Sequence, residues 1–170
     1  VDSTQSQALL EALLPTAEPG SQLARWVIAS GSLPPGMPHD FYAQLARAAQ
    51  QQGVPLALDT SGAALAAALE VGVALVKPSL RELRDLLQRP LNTVQECGDA
   101  AFTLVQQGAA STVAVSMGEQ GAGMARRDDV WHAPALAVPT TTGTTGAGDC
   151  FLAALVWALE RGDTPPEALR

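Results

Sequence analysis

Short apolar runs alternate with longer, helix-forming segments along most of this 170-residue chain. Four of the runs are bounded by turn-forming residues, which is typical of buried strands; they are residues 26–29, 56–58, 73–76 and 112–115. Strands that alternate with helices predict a parallel sheet with helices on both faces, so the predicted fold class is α/β. A hairpin is predicted after the fourth strand, around residues 126–129. Its register stays open, because Asp128-Asp129 is a poor two-residue turn.

Local signals mark where the predicted helices begin and end. A helix over residues 38–52 has proline near its start and Gly53 at its end. Ser79 with Glu82, and Thr93 with Glu96, have the spacing of a capping box, which opens a helix. These two helices are predicted to end near residues 88 and 108. Further helices are predicted over residues 6–14 and 63–69, from residue 150, and from residue 164.

Polar and small residues follow the predicted strands. Ser30, Asp59, Lys77 and Ser116 each come directly after an apolar run, and Gly146 lies in a glycine-rich loop. The carboxyl ends of parallel strands share one edge of the sheet, and ligands of such sheets bind along that edge. Periodicity alone therefore predicts one site, built from these five loops.

Composition and charge limit the classes of partner. Apolar residues make up 47% of the chain and charged residues 16%, which is a globular composition. The net charge of −7 argues against a surface for nucleic acid or anionic membranes, although nucleotide binding needs only a local cradle. Cys97 and Cys150 lack metal-ligand spacing and fit a reducing cytosol. Because we find no signal segment in the sequence and no apolar run long enough to span a membrane, we expect a cytoplasmic protein.

Residues 139–149 (PTTTGTTGAGD) lead directly into the helix predicted from Cys150. Glycines at a helix entry let backbone N–H groups approach a ligand, and the helix dipole favours an anion there. Asp149 would then lie beside the anion, where a carboxylate can act as general base on an attacking hydroxyl. The alternative is that the glycines only make a tight turn and Asp149 is a favourable first-turn acid. The loop is not a Walker loop, because no Gly-Lys-Ser/Thr follows it.

Four segments resemble, in order, the signature segments of the PfkB (ribokinase-like) carbohydrate kinases. They are residues 30–36 (SGSLPPG), 77–82 (KPSLRE), 116–121 (SMGEQG) and 144–149 (TTGAGD). The first of them is similar to the phosphofructokinase branch of the family. The resemblance runs from about Arg25 to Arg170. It implies a ribokinase-like three-layer α/β/α sandwich with a mostly parallel central sheet.

The resemblance also implies an activity. In this branch ATP, with Mg²⁺, phosphorylates a primary hydroxyl of a phosphorylated ketohexose, such as fructose 6-phosphate to fructose 1,6-bisphosphate. One alternative is a 1-phosphofructokinase or a tagatose-6-phosphate kinase. An alternative of another class is a non-catalytic nucleotide-binding protein of the same fold.

The resemblance assigns roles to individual residues. Asp149 is implied as the catalytic base, in contact with the sugar substrate together with Ser32. The anion hole for the transferred phosphoryl group is implied at Gly146, Ala147 and Gly148. Nucleotide-binding positions are implied at Lys77, Ser79, Ser116, Gly118, Gly121 and Thr144. Glu82 and Asp59 are implied in the magnesium environment, acting through water, with no direct protein ligand to the metal.

Several of these residues have simpler explanations. Lys77 can be a solvated strand end, although a cation there is costly without a partner. Glu82 can serve only the capping box, and Asp59 can cap the helix that follows it. Ser32 and the two glycines at 118 and 121 can be turn residues. His132 is predicted to be an edge-strand residue without a catalytic role.

Two departures from the family pattern concern activity rather than fold. Ser79 stands where the family usually has Asn, and its single hydroxyl is shorter than an amide. Gly143 stands where the phosphofructokinase branch usually has a polar residue.

The chain is much shorter than a complete family member. The resemblance therefore implies that residues 1–170 are the C-terminal, nucleotide-binding part of the kinase domain, without the N-terminal half and its β-sheet lid. Val1 in place of Met also indicates a processed chain or a fragment. The intact protein is expected to be a homodimer, and the fragment alone is expected to be inactive.

Overall fold

The structure is a computed structural model, and it describes residues 3–14, 24–136 and 146–170. Its centre is a six-stranded sheet whose strands follow one another in chain order, from β1 to β6. The strands are β1 Val27–Ser30, β2 Leu56–Asp59, β3 Val73–Val76, β4 Ala110–Ser116, β5 Ala122–Arg126 and β6 Asp129–Ala133. Strands β1 to β4 are parallel, whereas β5 and β6 form an antiparallel hairpin on β4. The predicted parallel sheet is confirmed.

Seven α-helices lie within the described ranges. They are α1 Ser3–Leu13, α2 Phe41–Gln51, α3 Gly62–Val71, α4 Leu80–Leu87, α5 Val94–Gln106, α6 Ala147–Glu160 and α7 Pro165–Ala168. Each corresponds to a helix or helix start predicted from the sequence, with bounds shifted by a few residues. A short 3-10 turn, Gly118–Gln120, was not predicted. In the portion of the chain that the structure describes, no helix has the length and apolarity needed to cross a membrane.

The sheet separates two apolar cores, as the alternation of side chains along each strand requires. Leu56 and Leu58 of β2 belong to the larger core, which the helices α1 to α5 cover. Ala57, between them, belongs to the smaller core with Leu152 and Leu155 of α6. These three layers confirm the predicted α/β/α sandwich and place the first turn of α6 against the end of β2.

Both predicted capping boxes are formed, at the starts of α4 and α5. The Ser79 hydroxyl accepts from the Glu82 N–H at 3.3 Å, and a Glu82 carboxylate oxygen accepts from the Ser79 N–H at 2.8 Å. Thr93 and Glu96 make the same reciprocal pair. The start of α4 is therefore fixed directly after β3.

The hairpin has a definite register in the structure. Arg126 pairs with Asp129, so the two turn residues are Arg127 and Asp128. Arg127 adopts a left-handed backbone conformation, with φ of 55°. Asp128-Asp129 is thus not the turn itself, because Asp129 is the first residue of β6.

Candidate active site

The ends of β1, β2 and β3 bring three predicted site residues to one edge of the sheet. Ser30, the last residue of β1, is in register with Asp59, the last residue of β2. Lys77 follows β3, and its N–H donates to the Leu58 carbonyl oxygen at 3.0 Å, so the β2–β3 ladder continues to this point. Regular pairing of short apolar strands therefore aligns the side chains that the sequence places at strand ends.

Lys77 and Asp59 form a buried ion pair. The Lys77 Nζ lies 2.9 Å from the Asp59 Oδ2, and the two side chains are 4% and 16% exposed. The interpretation of Lys77 as a solvated strand end is therefore wrong. A buried ammonium needs a partner of opposite charge, and Asp59 provides it.

The position of Asp59 affects its protonation. Burial is the main influence on the Asp59 carboxyl, and its pKa is raised although the hydrogen bond and positive charge of Lys77 lower it. The negative charges of Glu82 and Asp149 also raise the pKa of Asp59. Three carboxylates thus share the neighbourhood of one buried cation.

The first turn of α6 lies over this ion pair. Gly146 is the N-cap residue, with φ of 81°, and Ala147, Gly148 and Asp149 form the first turn. The first hydrogen bond within the helix runs from the Cys150 N–H to the Gly146 carbonyl oxygen, at 2.9 Å. The N–H groups of the first turn precede that bond and have no partner within the helix, so they can receive an anion together with the helix dipole.

Gly148 marks how closely the helix approaches the ion pair. A Cβ atom at this position would lie 3.5 Å from both the Asp59 Oδ2 and the Lys77 Nζ. The cation therefore lies directly beneath the turn that offers its N–H groups to an anion. The buried ammonium and the N–H groups of the first turn thus lie close to the Asp149 carboxylate.

Asp149 is exposed, and its carboxylate is held by the end of β1. The Ser30 hydroxyl donates a hydrogen bond to the Asp149 Oδ1 at 2.6 Å. Ser32, two residues further on, is exposed in the loop between β1 and α2. The predicted base and the predicted sugar-contacting serine therefore both border the open side of the same edge.

Two further predicted positions meet beside Lys77. Ser79 and Ser116 form an isolated parallel bridge, and the Ser116 N–H donates to the Pro78 carbonyl oxygen at 3.2 Å. This bridge extends the edge from β3 to β4. Since the Ser79 hydroxyl and the Glu82 carboxylate take part in the capping box, both residues have a structural role here in addition to any contact with a ligand.

Gly118 begins the 3-10 turn after β4 and Gly121 follows it, with φ of 58° and 87°. A Cβ atom at Gly121 would lie 2.0 Å from the Ala133 carbonyl oxygen, so this glycine is required by a close backbone approach. Both glycines line a cleft of about 600 Å³ between the hairpin and α7. Its other walls include Trp131, Leu136 and Leu169.

A model of the pfkB family carbohydrate kinases matches residues 3–170. The chain belongs to this family. The match covers all three described ranges.

Two curated relatives show where the chain lies within the pfkB family. It is 41% identical over 139 residues to the ATP-dependent 6-phosphofructokinase isozyme 2 of Mycobacterium tuberculosis, covering 82% of this chain and 40% of that protein. It is also 41% identical over 140 residues to the 1-phosphofructokinase of Rhodobacter capsulatus, covering 81% of this chain and 43% of that protein. The chain thus spans less than half the length of these relatives.

A solved structure agrees with the observed fold. The tetrameric inhibited form of phosphofructokinase-2 from Escherichia coli superimposes with a TM-score of 0.87 at 32% identity, covering 99% of this chain and 54% of that one. The predicted ribokinase-like architecture is confirmed over the described residues.

The structure brings most of the predicted pfkB site residues to one edge of the sheet. The group that lies together consists of Asp149, Gly148, Lys77 and Asp59. The negative charge of Glu82 raises the pKa of Asp59. Gly118 and Gly121 lie at the cleft beyond β4. Thr144 and Gly143 lie outside the described residues. His132 is on the edge strand β6, as predicted, and its Nε2 lies 2.7 Å from the Gln120 carbonyl oxygen.

Sequence reasoning did not foresee the network around Ser30. The Gly31 carbonyl oxygen accepts from both the Tyr42 and the Thr60 hydroxyls, each at 3.0 Å. The sequence places Ser30 after an apolar run, at the start of the segment 30–36, and so at the predicted site. It does not indicate that the partner of its hydroxyl is Asp149, 119 residues later.

Proposed function

We propose that this chain is the C-terminal, nucleotide-binding part of an ATP-dependent sugar-phosphate kinase. The single observation that carries the proposal is the position of Asp149 in the first turn of α6, above the buried Lys77. Phosphoryl transfer depends mainly on positioning and on electrostatic stabilisation of charge. Within the described residues, this arrangement brings a carboxylate, N–H groups that have no partner within the helix, and a cation close together.

Asp149 would accept the proton of the acceptor hydroxyl. The hydroxyl oxygen forms its bond to the γ-phosphorus as the bond from that phosphorus to the bridging oxygen breaks. The products are the sugar bisphosphate, ADP and one proton. The N–H groups of Ala147 and Gly148, with Gly146 at the N-cap, would stabilise negative charge on the transferred group.

Lys77 would add its positive charge to the same region. Its burial makes that charge more effective than it would be in water, because the local dielectric is lower. The half-buried Glu82 and Asp59 supply carboxylates that would act on Mg²⁺ through bound water. Among the described residues no group of three His, Cys, Asp or Glu is placed to hold a metal. Mg²⁺, when bound with ATP, neutralises phosphate charge.

The cleft beyond β4 would bind the nucleoside part of ATP. Its apolar walls fit the common pattern of ligand pockets, in which aromatic and aliphatic side chains surround a few polar groups. Gly118 and Gly121 border it, while Ser116, Ser79 and Thr144 would lie towards the phosphates.

The acceptor we propose is fructose 6-phosphate, with Ser32 as one of its contacts. The 41% identity to a 6-phosphofructokinase supports this choice. The equal identity to a 1-phosphofructokinase supports fructose 1-phosphate as the second candidate. We also propose a homodimeric, cytoplasmic protein; the related Escherichia coli enzyme has been described as a tetramer in its inhibited form.

The test is a kinase assay of the protein as its gene encodes it, with MgATP and fructose 6-phosphate, fructose 1-phosphate or tagatose 6-phosphate. Asp149→Asn should bind ATP normally but lose about 10²- to 10⁴-fold in kcat, the usual effect of removing a general base. The matched control is Asp128→Asn, an exposed carboxylate in the hairpin turn at the opposite edge of the sheet. Turnover of Asp149→Asn within about threefold of the parent, a loss well below that range, would refute the assignment. ATP binding without turnover of any sugar would favour a non-catalytic nucleotide-binding protein.

A further inference from the structure

The hydrogen bond between Ser30 and Asp149 has the geometry of a strong interaction. Its length of 2.6 Å falls in the range of an O–H donor bound to a charged carboxylate. It joins the end of β1 to the first turn of α6. Among the described residues, no other hydrogen bond holds the exposed Asp149 side chain.

Ser30 is itself held firmly by its neighbours. The N–H of Gly31 donates to the Asp59 carbonyl oxygen at 2.9 Å, which extends the β1–β2 ladder past Ser30. The Gly31 carbonyl oxygen then accepts two hydroxyl hydrogen bonds, from Tyr42 and Thr60, which are 7% and 5% exposed. Gly31 has a φ of 107°, a conformation that a side chain would strain.

The serine hydroxyl is therefore presented from a rigid support. Groups that must be held in productive geometry are most precise when buried hydrogen bonds fix their supporting residues. Tyr42 and Thr60 fix Gly31, Gly31 fixes the end of β1, and Ser30 fixes the carboxylate.

We propose that Ser30 is a positioning residue for Asp149. Its hydroxyl occupies Oδ1 and so orients the carboxylate, leaving Oδ2 to accept the proton of the acceptor hydroxyl. The proposal rests on the proposed function, in which Asp149 is the base. It assigns to Ser30 a role distinct from that of Ser32, which contacts the sugar in the proposed complex.

A competing role for the Ser30 hydroxyl is direct contact with the sugar, since Ser30 is exposed. The two roles differ in their kinetic signature. Loss of a substrate contact made equally in the ground and transition states raises KM and leaves kcat unchanged. Loss of orientation of the base lowers kcat, because a misplacement of about 1 Å can cost about 10²-fold.

The experiment compares Ser30→Ala and Ser30→Thr in the protein as its gene encodes it, each with and without Asp149→Asn. Ser30→Ala should lower kcat by about 10- to 100-fold, the loss expected when the base is displaced by up to about 1 Å. The KM for ATP and the melting temperature should be unchanged. Ser30→Thr keeps a hydroxyl and should restore most of the activity. The control is Ser111→Ala, an exposed serine of β4 far from this edge, which should behave as the parent.

The double variant separates positioning from a general structural effect. If Ser30 acts through Asp149, Ser30→Ala should change little once Asp149→Asn is present, because the two residues act as a unit. The same fold-loss in both backgrounds would overturn the proposal, and so would a change in KM alone or no loss of kcat. An active Asp149→Asn variant would instead refute the proposed base itself.

Crystal structures of the parent and of Ser30→Ala provide a readout that does not need activity. The Asp149 carboxylate should face Ser30 in the parent and adopt other rotamers in Ser30→Ala. An unchanged single rotamer in Ser30→Ala would overturn the positioning role even if no sugar were phosphorylated.

Discussion

The Lys77 ammonium lies 2.9 Å from the Asp59 carboxylate, at the point where the first turn of α6 crosses the sheet edge. Such buried pairs often contribute little net stability, because desolvation of both charges offsets their attraction. The pKa of Asp59 is raised despite the nearby cation, which shows that desolvation dominates at this carboxyl. The pair is better explained by the ammonium that it holds beneath Gly148 than by a gain in stability.

Removing only the cation should destabilise the protein in a pH-dependent way. In Lys77→Met the Asp59 carboxylate keeps its burial but loses its partner, a change that typically costs about 3–5 kcal/mol. The pKa of Asp59 should rise further, since both influences that lower it came from Lys77. A raised carboxyl pKa means that stability is fully present below the unfolded value, 3.8, and is lost as the pH rises through the folded value. The loss should therefore be large at pH 7 and small near pH 4.

Chemical denaturation of the parent and the variant at these two pH values measures the effect. The control is Lys77→Met combined with Asp59→Asn, which removes both charges and should recover much of the stability at pH 7. A Lys77→Met deficit that is the same at both pH values would contradict the burial argument.

Ser79 and Thr93 offer a matched pair for separating capping from ligand binding. Both side chains accept from the N–H of a glutamate three residues later, in complete capping boxes. Ser79→Ala and Thr93→Ala should each cost about 1 kcal/mol of unfolding free energy. Only Ser79→Ala should also alter the magnesium or ATP dependence of turnover, because α5 begins away from the proposed site. Equal kinetics in both variants would leave Ser79 with a capping role alone.

Ser79→Asn tests the departure from the family pattern. Asn is as good an N-cap as Ser, so stability should be nearly unchanged. If the shorter serine is a weakened form of the usual residue, activity should be equal or higher and the magnesium requirement lower. Magnesium titrations beside melting curves measure both quantities. A sharp loss of activity at unchanged stability would contradict this interpretation.

The sequence predicted the fold well, because its signals are local. Short apolar runs bounded by turn-forming residues predicted the strands. The two capping boxes predicted the starts of α4 and α5 with the correct residues. The order of strands and helices then predicted which loops share the sheet edge. Strand bounds were less exact: the first strand was predicted over residues 26–29 and runs from Val27 to Ser30.

The side-chain partners within the site could not be predicted in the same way. The pairing of Lys77 with Asp59 and of Ser30 with Asp149 depends on strand register and on the angle at which α6 crosses the sheet. Those are properties of packing between distant segments. The burial of Lys77 likewise depends on the first turn of α6, about 70 residues away in the chain. No local sequence pattern indicates that these two segments meet.

Two glycines near the proposed site should respond oppositely to alanine. At Gly121 a Cβ would meet the Ala133 carbonyl oxygen at 2.0 Å, and φ is 87°, so Gly121→Ala combines a clash with backbone strain. We expect a loss of about 1–3 kcal/mol or more, as in overpacked sites. At Gly148 the same atom would make ordinary contacts of 3.5 Å, and the residue is helical. Gly148→Ala should therefore melt at or above the parent temperature, which thermal unfolding can check; equal losses in the two variants would contradict the geometry.

Residues 1–170 alone should not phosphorylate sugar at a measurable rate. Asp149, Ser30 and Ser32 are exposed in this chain, so water has free access to the place where an acceptor must be held. Holding two reactants in productive geometry can lower a barrier by roughly 7–11 kcal/mol, and a site open to water cannot supply that.

The same chain should also self-associate through its outermost strand, β1, where Ile28 is 48% exposed. The anion site is local to the first turn of α6 and should still bind sulfate or ADP weakly. The measurement is to purify this chain, confirm its helix content by circular dichroism, determine its size by light scattering, and assay it with MgATP and fructose 6-phosphate. Turnover close to that of the protein as its gene encodes it would show that these residues suffice for catalysis and would overturn the prediction.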